Sequence, residues 1–184
     1  DFIYATIGAL VFNIFGIFGG FLSPYIGRKL GLRRASAFGF AMVFVILLIL
    51  GTFHGQMPLW LAVALPSLFI LFHSGGPGAN GKSLSSLSFR SELRAGANGI
   101  IGALGSTGAA VGLLVFPLFR ENYGLEKTFL ILSVVPLIAS IICFVIKWDP
   151  TRTTINPDTE TGAPQFKDDS ALATLDPAIG KAAR

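Results

Sequence analysis

The sequence predicts an all-α membrane protein, and three observations support this fold class. Hydrophobic residues make up 52% of the 184 residues and charged residues only 13%, whereas a soluble domain carries about 25% charged residues. The mean hydropathy is +0.68. Five apolar runs follow one another along the chain, and each is close to the roughly 20 residues that a helix needs to cross a bilayer.

Residues 1–147 are predicted to form the membrane part of the chain. We expect transmembrane helices at residues 3–24, 35–53, 57–88, 97–119 and 128–146. The third helix should break near residues 75–78, because Pro77 lacks a backbone donor and the glycines around it give no side-chain support. Residues 148–184 are rich in Thr, Asp and Pro and are predicted to form a disordered tail. The chain begins at Asp1, and we expect it to be a fragment of a longer protein.

Lysine and arginine residues alternate between the two sides of the predicted bundle. The loop after the first span carries four of them, whereas the connection between the second and third spans, HGQ, carries none. Because basic loops stay in the cytoplasm, we expect a multi-pass integral protein of the plasma (inner) membrane with a cytoplasmic C-terminal tail. Treating Gly75–Arg94 as a soluble loop leaves this orientation unchanged. The net charge of +4 comes from these clusters, so the lipid bilayer and not nucleic acid is the expected partner.

The stretch GGPGANGKS, residues 75–83, matches the phosphate-loop pattern G-x-x-x-x-G-K-[ST] from Gly76 onward. A true phosphate loop follows a buried strand and opens a helix, but here the preceding apolar run is too long for a strand. An ATP-binding protein is therefore the weaker interpretation. The stronger one is a broken membrane helix that lines a cavity, as in transporters. No nucleophile–base set, metal cluster or cysteine pair is recognisable, so we expect no enzyme, no metal and no cofactor.

The segment GFLSPYIGRKLGL, residues 20–32, resembles the cytoplasmic loop signature of the major facilitator superfamily, G-x-L-a-D-r-x-G-R-K-x-x-L. The matching residues are Gly20, Leu22, Gly27, Arg28, Lys29 and Leu32. Pro24 stands at the acidic position, so any pairing there must use other groups. The resemblance implies that Gly20, Gly27, Arg28 and Lys29 form a gating motif on the cytoplasmic side.

Residues 75–112 are similar to helices ten and eleven of the sugar-porter and phosphate:proton symporter branch of that superfamily. The residues in register are Pro77, Phe89, Arg94, Gly99, Gly105, Gly108, Ala109 and Gly112. Leu87 and Arg90 depart from the branch pattern, which has Glu and Pro there. The resemblance implies that the chain contains helices eight to twelve of a twelve-helix carrier. The missing helices one to seven are then partners of this chain.

The resemblance also implies a set of candidate substrate-binding residues in and after the broken helix: Ser74, Asn80, Lys82 and Ser106. Lys82 is the sharpest candidate, because an intramembrane charge costs at least about 2.5–3.5 kcal/mol and needs a cavity or a partner. A cytoplasmic lysine that obeys the positive-inside rule is the alternative. His73 is a candidate proton relay, although a structural histidine is the more common case.

These residues predict a secondary transporter that moves a small polar or anionic solute, such as a carboxylate metabolite or a sugar, by alternating access with proton coupling. A membrane sensor or scaffold of the same fold is the alternative. Glycines recur at three- and four-residue steps on the fourth span and predict close helix packing: Gly99, Gly102, Gly105, Gly108 and Gly112. Asn98, at the start of the same span, needs a polar partner, and a bond to a neighbouring helix is the favoured one.

Overall fold

The computed structural model describes residues 2–152 of the chain, with side chains for residues 6–53 and 55–152. Its five α-helices are α1 Phe2–Leu30, α2 Leu32–Phe53, α3 Leu59–His73, α4 Lys82–Leu87 and α5 Ser91–Val145. A 3₁₀ turn, His54–Gln56, joins α2 to α3, and a π-helical segment, Ser74–Gly81, joins α3 to α4. The described residues form helices and connecting turns without a strand, which confirms the all-α fold class.

Four helical stretches are long and apolar enough to cross a membrane: Thr6–Leu30, Leu32–Phe53, Leu59–Leu87 and Ser91–Val145. The last has 55 residues, about 80 Å at 1.5 Å per residue, which far exceeds a hydrocarbon core of about 30 Å. Gly124, with φ 79° and ψ 166°, interrupts it. Residues 91–123 and 125–145 therefore form two arms of α5, and five passes stay the prediction. Residues 120–127, expected to be a loop, are helical except at this glycine.

Helix α2 lies at the centre of the bundle, against α3, the π-helical segment and the second arm of α5. Its buried Ile46 and Leu50 meet Leu65 of α3, and Phe129 of α5 packs on the same cluster. The hydroxyl of Ser140 donates to the carbonyl of Ala37 at 3.0 Å, and such bonds join helices where no water competes. Many large apolar side chains point outwards instead, which suits contact with lipid.

The chain after α5 closes the corner between α1 and α2. Gly31 turns this corner with φ +84°, a conformation that glycine adopts at no steric cost. The backbone N–H of Arg33 donates to the Asp149 carboxylate at 3.1 Å, and Arg152 donates to the carbonyl of Lys29 at 2.7 Å. We call this end, with residues 28–34 and 147–152, the basic end. The predicted tail starts at residue 148, yet residues 149–152 pack here; residues 153–184 lie outside the described part.

Asp149 is 6% exposed and forms the centre of this corner. Burial alone would raise the pKa of its carboxyl group, but hydrogen bonds outweigh that effect and the pKa is lowered. The Thr151 hydroxyl donates to the carboxylate at 2.6 Å and the Thr151 N–H at 3.0 Å, and the Arg33 N–H and charge add to the stabilisation of the anion. A group whose folded-state pKa is lowered stabilises the fold above its unfolded-state pKa.

We expect Asp149→Asn to lower the thermal unfolding midpoint of the full-length protein at pH 7, because the charge-assisted bonds are lost. The free energy of unfolding should fall by about 1 kcal/mol. The contribution of the native carboxylate is complete at neutral pH and disappears as the pH falls through its folded-state pKa. The midpoint of the variant should therefore change less than that of the native protein between pH 7 and pH 3. Glu121→Gln, at an exposed position of α5, is the charge control. If the midpoints of Asp149→Asn and the native protein change equally with pH, the Asp149 carboxylate does not stabilise the fold as an anion.

Candidate substrate cavity

The third pass is broken where the sequence predicts, at the π-helical segment Ser74–Gly81. Gly76 leaves helical geometry with φ −102° and ψ −105°, and Pro77 next to it cannot donate a backbone hydrogen bond. The side-chain amide of Asn80 donates to the carbonyl of Gly75 at 2.8 Å and is buried there. This bond satisfies an acceptor next to the break, which is necessary at membrane depth because water does not reach it.

Glycines of α1 and α2 clamp the broken segment from two sides. A Cβ on Gly19 would lie 2.5 Å from the carbonyl oxygen of Leu71 and 3.0 Å from the nitrogen of Gly75. A Cβ on Gly39 would overlap Pro77 and lie 2.8 Å from the Cα of Gly76. Backbone atoms cannot move aside as side chains do, so only glycine fits at residues 19 and 39. Sequence analysis missed both contacts; the signal was a glycine inside each of the first two spans.

A cavity of about 1030 Å³ opens between the third pass and the first arm of α5, and we call it the α4–α5 cavity. It brings together three of the candidate residues, His73, Lys82 and Ser106. The remaining polar side chains in its lining are Ser85, Ser86 and Asn98. The wall thus combines one permanent cation, a titratable ring and several neutral hydrogen-bonding groups. Such a wall suits a polar solute with a negative charge.

Two contacts fix the polar groups of this cavity. The side-chain amide of Asn98, on α5, donates to the hydroxyl of Ser86, on α4, at 2.9 Å. The bond ties the two walls together at the end where α4 turns into α5. The ring of His73 stacks on Phe69 with centroids 6.2 Å apart and an interplanar angle of 2°. This stacking holds the imidazole at the cavity wall.

Ser74 and Asn80 lie away from this cavity. The Ser74 hydroxyl faces α1, where a Cβ on Gly16 would lie 3.7 Å from it. Asn80, 3% exposed, lines a separate cavity of about 760 Å³ at the basic end, together with Gly20, Gly27 and Arg28. Three of the four gating residues therefore share a cavity with Asn80. The fourth, Lys29, lies with its Nζ 4.7 Å from the centroid of the Tyr25 ring.

The glycine row on α5 contributes to the α4–α5 cavity through Gly102 and Gly105. A Cβ at any of the five glycines, including Gly99, Gly108 and Gly112, would meet no atom within 4 Å. Within the described residues this face of α5 is therefore open. Close packing against a helix outside this chain stays a prediction.

Long apolar helices with a broken helix beside a cavity are typical of membrane transporters, in which discontinuous helices form the solute site. The phosphate-loop pattern has no support in this geometry, because the segment that carries it follows the helix α3 and not a strand. Among the described residues no group of three or more His, Cys, Asp or Glu side chains is placed to hold a metal ion.

The chain belongs to the Major Facilitator Superfamily, whose family model matches residues 3–180. This match confirms the resemblance at the level of the superfamily, which is a family of membrane transporters and not of enzymes. The chain is 32% identical over 137 residues to a glycerophosphocholine permease of Candida albicans and 31% identical over 134 residues to a glycerophosphoinositol permease of the same organism. It is also 31% identical over 139 residues to the putative metabolite transport protein YaaU of Escherichia coli.

These alignments cover 73%, 69% and 75% of this chain but only 26%, 25% and 31% of the respective relatives. The chain thus spans about a quarter to a third of the length of the curated relatives that it matches. No solved structure gives a significant match.

We expect Gly105→Leu to lower uptake by the full-length carrier severalfold while leaving the amount of folded protein unchanged, because a Cβ at Gly105 would meet no atom within 4 Å and the side chain would occupy part of the cavity. Gly108→Leu, on the same helix but outside the cavity lining, is the matched control and should transport normally. Uptake of a radiolabelled solute measures transport, and the size-exclusion profile measures the amount of folded protein. Equal losses in both variants would favour helix packing as the role of the whole glycine row.

Proposed function

We propose that the full-length protein is a secondary transporter that moves an organic phosphate diester across the membrane by alternating access. The observation that carries the proposal is Lys82, a permanent cation in the lining of the α4–α5 cavity. Two of the relatives are permeases for glycerophosphocholine and glycerophosphoinositol, and both compounds are phosphate diesters with hydroxylated bodies.

The chemistry of the cavity agrees with this solute class. A phosphate diester carries one negative charge at neutral pH, and a single lysine ammonium can balance that charge as a compact donor. The hydroxyls of Ser85 and Ser106 and the amide of Asn98 are the kinds of group that hydrogen-bond a glycerol or polyol moiety. A volume of about 1030 Å³ leaves room for such a solute together with water.

We further infer that the basic end faces the cytoplasm and that the protein is resident in the plasma membrane. The positive-inside rule supports the orientation, because Arg28, Lys29, Arg33 and Arg34 all lie in or next to the one-residue link between α1 and α2. The 3₁₀ turn His54–Gln56 at the other end of α2 carries neither lysine nor arginine.

Lys82→Ala should weaken uptake of glycerophosphocholine by about 10- to 150-fold, since a hydrogen bond to a charged group is worth about 1.5–3 kcal/mol. Lys82→Arg should keep part of the activity because it keeps the charge. Lys127→Ala, an exposed position on α5, is the control. The assay is uptake of radiolabelled glycerophosphocholine into proteoliposomes of the full-length protein. Glycerol 3-phosphate and uncharged glycerol are the competitors. Normal uptake by Lys82→Ala would remove the cation from the site, and no uptake by the native protein would favour a sensor or scaffold.

We also propose that uptake is coupled to protons and that His73 is the relay, because it is the titratable group other than Lys82 in the described lining of the cavity. His73→Gln keeps a hydrogen-bonding side chain but cannot change charge. The variant should retain solute binding and lose the response of uptake to an imposed pH gradient. Asn13→Gln, at an exposed position of α1, is the control. An unchanged response in His73→Gln would assign the coupling to a group outside this chain.

A further inference from the structure

The basic-end cavity, about 760 Å³, is lined from four parts of the fold: α1, the start of α2, the end of the third pass and the turn after α5. It shares no lining residue with the α4–α5 cavity, because the two open on different faces of the third pass. Two arginines, Arg28 and Arg152, belong to its lining, and no acidic side chain among the described residues does. The charge of this second cavity is therefore positive.

Backbone contacts hold the two arginines in position. Arg152 donates to the carbonyl of Lys29 at 2.7 Å, and the Nε of Arg28 donates to the carbonyl of Pro24 at 3.4 Å. A guanidinium group carries five N–H donors in a planar fork, and one backbone contact uses only one of them. Planar forks of this kind recognise phosphate oxygens in pairs, with a geometry that a lysine cannot supply.

Below the arginines, this cavity contains two serines among mostly apolar lining residues. It extends along α1 from Arg28 to Gly20, which are eight residues apart, a depth of about 12 Å at 1.5 Å per residue. The hydroxyls of Ser23 and Ser83 line it, and Ser23 is only 2% exposed. A ligand with its phosphate at the arginines would thus place a short hydroxylated body against hydroxyl groups.

We propose that the basic-end cavity is a second binding site, for a phosphate ester, in which Arg28 and Arg152 hold the phosphate and the serine hydroxyls face its alcohol part. The phosphate can come from a water-soluble ester or from the headgroup of a membrane lipid, since basic pockets between membrane helices bind anionic headgroups. The site does not depend on the solute proposed for the α4–α5 cavity, because the two linings are separate.

Arginine modification in the native full-length carrier tests the site without any substitution. Phenylglyoxal labels arginines, and mass spectrometry measures the labelling of Arg28, Arg152 and, as the control, Arg34, which lines neither this cavity nor the α4–α5 cavity. Glycerophosphocholine is added to the protein in detergent in one arm. In the other, nanodiscs contain either phosphatidylcholine alone or equal parts of phosphatidylcholine and phosphatidylinositol. Protection of Arg28 and Arg152 but not Arg34 supports the site, and the protecting arm identifies the source. Equal labelling of all three arginines in both arms overturns it.

A binding measurement separates this site from the substrate cavity. In a Lys82→Ala background, the double variant Arg28→Gln/Arg152→Gln should bind the protecting ligand at least about tenfold more weakly than Lys82→Ala alone, whereas Arg34→Gln should not weaken it. Arg28→Lys/Arg152→Lys keeps the charge and should bind with intermediate affinity. If Lys82→Ala alone abolishes binding and arginine protection, this second site does not exist and the proposed function still stands. If protection persists while Lys82→Ala transports normally, the proposed function fails and the second site remains.

Discussion

The structure depends on the contact between a broken helix and two glycines that belong to neighbouring helices. The segment Ser74–Gly81 interrupts the regular helix, because Gly76 leaves helical geometry and Pro77 lacks a backbone donor. In a membrane such a segment must be covered by protein. Gly19 and Gly39 allow α1 and α2 to approach its backbone directly, and the Asn80 amide supplies a hydrogen bond from inside the break. Close packing and the hydrogen bond of one buried amide together stabilise the broken helix.

The third pass also contributes residues to two separate cavities. His73 and Lys82 face α5 and line one cavity, whereas Asn80 and Ser83 face α1 and line the other. A carrier that works by alternating access needs a solute site near the midplane and groups that change their contacts at the end where the solute leaves. One helix that presents polar groups on both faces gives the protein a physical link between such sites.

The basic end shows a contact between residues that are far apart in the sequence. Pro24 stands where the family signature has an acidic residue, so the corner between α1 and α2 has no carboxylate of its own at that position. The carboxylate of Asp149 accepts the Arg33 N–H from a position 116 residues further along the chain. Sequence analysis assigned residue 149 to the tail, because a short polar turn has the composition of disordered chain. Only the folded chain reveals that Asp149 has partners.

The sequence by itself determined the membrane class, and it contains the proline and glycine residues that interrupt the third helical stretch. Each of these follows from local properties, namely the length of apolar runs and the inability of proline to donate a hydrogen bond. Tertiary structure decided which way each polar residue of the break faces. A π-helical turn has a wider repeat than an α-helix, so the regular 100° step no longer relates Ser74 and Asn80 to Lys82. Their directions are fixed by the glycines of α1 and α2 that the break packs against, and no local pattern encodes that contact.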